Sequence, residues 1–107
     1  MAIIRKFPDR PGYSEDITMD LNNGYFRIRW YLYDEYYPGF EDHEYIIDDI
    51  PEAIFREAFG LKSSRAIQAF LVKFFKNDIS ASRFTDLLDD NHIPYRIIPD
   101  DEWSPGW

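Results

Sequence analysis

Asn22-Asn23-Gly24 divides two runs in which apolar and polar residues alternate, and no other feature of the chain constrains its fold as tightly. Before it, Ile17, Met19 and Leu21 alternate with Thr18 and Asp20. After it, Phe26, Ile28, Trp30 and Leu32 alternate with Tyr25, Arg27, Arg29, Tyr31 and Tyr33. A period of two is that of a strand with one buried face. Asn-Gly between two such runs supplies the positive φ angles of a tight hairpin turn. A β-hairpin is therefore expected, with Phe26 and Trp30 facing the core and the Tyr/Arg row facing away.

Periodicity and end signals give the remaining elements. Ala2–Phe7 reads as a short strand. The segment 8–16, with Pro8, Pro11, Gly12 and several charges, reads as a loop. Asp34 to Asp42 contains Pro38-Gly39 and reads as a turn, after which Glu44–Ile47 returns as a third strand. Asp49-Ile50-Pro51-Glu52 reads as a helix start with Asp49 as cap and Pro51 in the first turn, and Gly60 closes that helix. From about Ser64 to Lys76, one stripe carries Ile67, Phe70, Leu71, Phe74 and Phe75. A third helix begins near Ser80, with Ile79 and Phe84 as a hydrophobic staple. It buries Phe84, Leu87 and Leu88, and Asn91 closes it. Tyr95–Ile98, between Pro94 and Pro99, reads as a short strand at a sheet edge.

Strands followed by helices predict an α+β fold: a hairpin or three-stranded meander, two or three helices on one sheet face, and a final edge strand. A length of 107 residues suits one domain, 1–107, with the loop 8–16 and the tail 100–107 as its expected flexible parts.

Charge is segregated along the chain. Residues 34–55 hold eight acids and no Lys or Arg, residues 56–85 six bases against two acids, and residues 86–107 six acids against one base. The net charge of −8 opposes direct binding of nucleic acid, which draws on clustered Lys and Arg. The absence of cysteine excludes disulfides and thiolate metal sites. With neither a leader-like N-terminus nor a membrane-length apolar run, the expected location is the cytosol, or the host's cytosol if a phage encodes the chain.

Signs of catalysis are weak. His43 and His92 stand far apart, and the five glycines match no phosphate, dinucleotide or nucleophile-elbow spacing. Asp42-His43-Glu44 cannot converge on a metal from an extended chain, because neighbouring side chains point to opposite faces. No catalytic residue, metal or cofactor is expected. A small metal-dependent enzyme using His43 or His92 is the remotest alternative.

Two surfaces remain as candidates for partner binding. The acidic one comprises Asp34, Glu35, Glu41, Asp42, Glu44, Asp48, Asp49, Asp86, Asp89 and Asp90. Its carboxylates, two residues apart on a strand, could imitate a phosphate backbone, and the two blocks could join into one negative surface. Asp89 and Asp90 also crowd a helix C-terminus, where acids oppose the macrodipole at a cost of roughly a few tenths of a kcal/mol each. The second surface is the strand face Tyr25, Arg27, Arg29, Tyr31 and Tyr33, residue types favoured at interface hot spots. Against these stand bland readings: a solubilising acidic surface, and cross-strand packing.

In size, charge and compactness the chain is similar to the small acidic inhibitors of phages and bacteria: anti-CRISPR proteins, other anti-defence proteins, and immunity proteins that neutralise nuclease toxins. The resemblance extends to no individual residue. It implies a stoichiometric inhibitor of another protein, a nuclease or CRISPR effector whose basic groove the acids would occupy as a nucleic-acid mimic. The alternative is an adaptor or homodimer built on the Tyr/Arg face. Neither reading involves a membrane.

Overall fold

The structure is a computed structural model that describes residues 2–6, 13–34, 42–76 and 81–98; for Lys6, Tyr13, Ser14, Glu15, Leu32, Tyr33, Asp34, Asp42 and His43 it describes the backbone alone. Four strands come first: β1 (Ala2–Lys6), β2 (Tyr13–Asn22), β3 (Tyr25–Asp34) and β4 (Asp42–Pro51). Three helices follow, α1 (Glu52–Phe59), α2 (Ser64–Phe74) and α3 (Ala81–Asp90), and then β5 (Arg96–Ile98). The five strands form one antiparallel sheet in chain order. The expected α+β class is found, with β5 at an edge, and the meander has one strand more than expected.

The hairpin forms where the alternation placed it. Asn22 pairs with Tyr25 across Asn23 and Gly24, whose φ values of 51° and 84° match a turn with the twist of the flanking strands. Its strands are longer than the periodicity implied. Tyr13–Asp16, assigned above to a loop, extend β2 in register with Tyr31–Asp34, so the ladder continues past the last clear alternation. The rest of that loop, the Pro38-Gly39 turn, the Ile79–Ser80 staple and the tail 100–107 lie outside the described residues.

The largest correction concerns residues 48–51. Asp49 does not cap a helix; it sits inside β4, which runs on to Pro51. Phe26 pairs with Ile50 and Ile28 with Ile47, so Asp48 and Asp49 together face Arg27 in a β-bulge. Asp49 takes the left-handed conformation, φ 55°, that a short polar side chain tolerates better than most. The extra residue resets the pleat, and Ile47 and Ile50, three apart in sequence, both end fully buried. Alternation therefore fails at this point of the sequence although the strand continues. Helix α1 starts at Glu52 without a side-chain cap; instead the Glu52 N–H donates to the Gly24 carbonyl at 2.9 Å, tying the helix to the hairpin turn.

The helices cover one face of the sheet. Ile17, Met19, Phe26, Ile28, Trp30, Ile47 and Ile50 meet Phe55 of α1, Ile67 and Leu71 of α2, Phe75, and Phe84 and Leu88 of α3. Phe55 lies at the centre of a ring cluster, 5.0 Å from Phe26, 4.7 Å from Phe59 and 5.5 Å from Phe70 between centroids. Phe75 bridges to Trp30 and to Phe84, each at 5.5 Å. The Arg5 guanidinium reaches over from β1 and donates to the carbonyls of Phe75 and Lys76, 2.5 and 2.7 Å away, satisfying orphan acceptors at the end of α2.

Local chemistry sets the helix ends. Gly60, φ 66°, ends α1 as expected, and the Ser63 hydroxyl accepts the Ala66 N–H at 3.2 Å to cap α2. At the end of α3, Ile93 N–H donates to the Leu88 carbonyl and His92 N–H to that of Asp89, with His92 left-handed at φ 56°. This is a Schellman ending, and buried Leu88 and Ile93 supply its apolar contact. Asn91 adds a side-chain bond to the Leu87 carbonyl at 2.8 Å.

Candidate functional site

Alternation puts Tyr25, Arg27, Arg29 and Tyr31 of β3 on the sheet face that the helices leave uncovered. Cross-strand register sets acids beside the arginines. Arg27 holds the Asp48 carboxylate with two bonds, Nε to Oδ1 at 3.3 Å and one terminal nitrogen to Oδ2 at 3.0 Å. Arg96 of β5 approaches the same carboxylate and that of Asp49, each at 3.5 Å. The Asp48 side chain also accepts the Asp49 N–H at 2.8 Å, which locks the bulge. Arg29 pairs with Glu44 at 3.1 Å and lies 5.2 Å from the centre of the Tyr31 ring. Asp48 is accordingly only 7% exposed on a face without helices.

The described acids of β4 are therefore already neutralised. Glu44, Asp48 and Asp49 are bound to arginines of the neighbouring strands rather than offered to solvent as bare charge. Arg96, the partner that the sequence reading missed, is the single base of residues 86–107. Only the β4/β5 register, with Asp48 opposite Arg96, reveals its role. Glu35 and Glu41 lie outside the described residues, and so do the side chains of Tyr33, Asp34 and Asp42.

The acids of α3 lie elsewhere. Asp86, Asp89 and Asp90 are exposed on α3, whose Phe84 and Leu88 pack into the core on the opposite side of the sheet from Glu44 and Asp48. The two sets, which the sequence left free to join or not, do not join into one surface among the described residues, because the sheet separates them. Asp89 accepts the Tyr95 hydroxyl at 2.9 Å. Burial and the Asp89 carboxylate together push the Tyr95 phenol up to about 12, and burial raises Tyr45 as well. Among the described residues no ion pair engages Asp86 or Asp90, and the last turn of α3 carries no base.

Residues 83, 86, 87 and 90 follow the i, i+3, i+4, i+7 spacing of one helix face. With Phe74 of α2 they line an open groove of about 430 Å³. Phe74 and Leu87, both half-buried, are its apolar residues, and Asp86, Asp90 and Arg83 its charged ones. A smaller hollow of about 190 Å³ beside the hairpin turn is lined by Asp20, Tyr25, Arg27, Asp48 and Asp49 among others.

His92 is committed through its backbone to ending α3, and the side chain of His43 lies outside the described residues. Among the described residues, no three His, Asp or Glu side chains gather closely enough to hold a metal ion. No helix among them is long and apolar enough to cross a membrane. No family model, curated protein or solved structure matches the chain.

Proposed function

We propose that this chain is a non-catalytic, stoichiometric inhibitor that binds a protein with a basic, nucleic-acid-handling surface, and that the acids of α3 make the contact. The contrast between the two acidic sets carries the reading. Glu44, Asp48 and Asp49 on the sheet are held by Arg27, Arg29 and Arg96, whereas Asp86 and Asp90 stand exposed on α3, Asp90 in its last turn, where an acid opposes the helix dipole. Charge kept where it costs local stability is charge available to a partner. Opposite potentials on two proteins accelerate their encounter and make it sensitive to salt.

The test is inhibition of nucleic-acid cleavage across a panel of nucleases and RNA-guided effectors. The expected result is one-to-one inhibition of a member, relieved by raised salt and weakened by joint Asp86→Lys and Asp90→Lys substitution. Failure to inhibit any of them, or inhibition indifferent to both salt and charge reversal, would overturn the proposal. The Tyr/Arg strand face is the weaker docking candidate, since its described arginines already hold acids of their own chain.

A further inference from the structure

We infer that the groove between α2 and α3 is the docking site itself, and that it receives an amphipathic basic segment of the partner protein, an apolar side chain beside a Lys or Arg. This inference rests on the inhibitor reading above and names its site. The groove has the two components that such a segment requires. Phe74 is braced from behind by Phe70, Phe75 and Phe84, at centroid distances of 6.4, 5.1 and 5.6 Å, so its position is set by the core. Leu87 lies beside it, and together they offer an apolar floor to a side chain or to the methylene stem of a lysine. Asp86 and Asp90, one helical turn or about 6 Å apart along α3, flank Leu87 and can share one ammonium or guanidinium group between them.

The charges around the groove are unevenly placed. Arg83 occupies the N-terminal end of the same helix face, and Asp90 the C-terminal end. Lys73 and Lys76 flank Phe74 in sequence and are exposed. A bound cation is therefore favoured beside Asp86 and Asp90. Asp89 takes no part, because its carboxylate already holds the Tyr95 hydroxyl. The sheet-face hollow lacks this combination: its acids Asp48 and Asp49 are bound to arginines.

The experiment is a titration of the isotopically labelled full chain with a short helical peptide of leucine and lysine, followed by amide chemical shifts. Saturable changes centred on Phe74 and residues 83–90 are expected. Asp86→Lys with Asp90→Lys should weaken the peptide by about tenfold or more, and a leucine–glutamate peptide should not bind. Shifts centred on the sheet face, an absence of saturable binding, or equal affinity for the charge-reversed variant would overturn the inference. Unchanged far-UV circular dichroism confirms that the exposed substitutions leave the fold intact. The two proposals fail separately: inhibition that is lost on Asp86→Lys with Asp90→Lys, in a chain that takes no peptide, removes the groove alone, and a groove that takes the peptide while no nucleic-acid enzyme is inhibited removes the inhibitor reading.

Discussion

Phe55→Ala removes the only buried side chain of α1, an eight-residue helix. A helix this short does not hold together in water by itself, so α1 depends on what that ring touches. The ring is fully buried, and its centroid lies 5.0 Å from Phe26, 4.7 Å from Phe59, 5.5 Å from Phe70 and 6.3 Å from Phe84. Deleting a buried Phe costs about 3–5 kcal/mol from lost transfer energy and the cavity left behind. The four ring contacts keep Phe55 away from the low end of that range, at about 4 kcal/mol. At the unfolding entropy typical of a domain this size, the loss lowers Tm by roughly 15–20 °C. Against a whole-domain stability of about 5–15 kcal/mol, it leaves little margin. Urea unfolding followed by far-UV circular dichroism measures it directly, with Phe59→Ala as the internal comparison. Phe59 is half-buried and touches the cluster from its rim, so its loss should cost about half as much. A Phe55→Ala cost below about 1.5 kcal/mol, or no larger than that of Phe59→Ala, would refute the view that α1 hangs on this ring.

Asp48→Ala should destabilise the protein by about 1–2 kcal/mol in equilibrium unfolding; the estimate lies below that for a fully buried ion pair because the Arg27 and Arg96 side chains keep 41% and 63% of their exposure. Raising the pH should erode stability through the tyrosines. The neutral Tyr95 phenol is favoured in the folded state, at about 12 against 10.0 when unfolded, so its contribution is complete below about pH 10 and disappears as the pH climbs toward 12. Phenolate absorbance and Tm against pH read this out, with a shallower decline in Tyr95→Phe, which keeps only the Tyr45 contribution. At the helix ends, His92→Gly should stabilise by about 0.5–1 kcal/mol, because glycine adopts φ 56° without the steric cost that a side chain brings. Gly60→Ala at φ 66° should destabilise by about 1 kcal/mol, although no atom lies within 4 Å of the added methyl; thermal melts of the two variants should move in opposite directions.

Much of this protein was legible from short-range pattern alone. Asn23-Gly24 and the alternation on either side determined the hairpin, its register and its buried face, because strand period and turn chemistry are local properties. The apolar stripe of α2, the glycine ending α1 and the staggered leucines of α3 are local in the same way. What remained hidden depends on pairing between distant segments. The bulge at Asp48-Asp49 exists because Ile47 and Ile50 must both reach the core opposite Ile28 and Phe26, a demand visible only once β3 and β4 are aligned. The same alignment turned acids that read as exposed charge into partners of Arg27, Arg29 and Arg96. It also put the remaining acids of α3 behind the sheet. Sequence determined where charge is concentrated along the chain; the tertiary structure decided which of it is cancelled, because Coulomb pairing depends on separation in space, and register and packing set that separation.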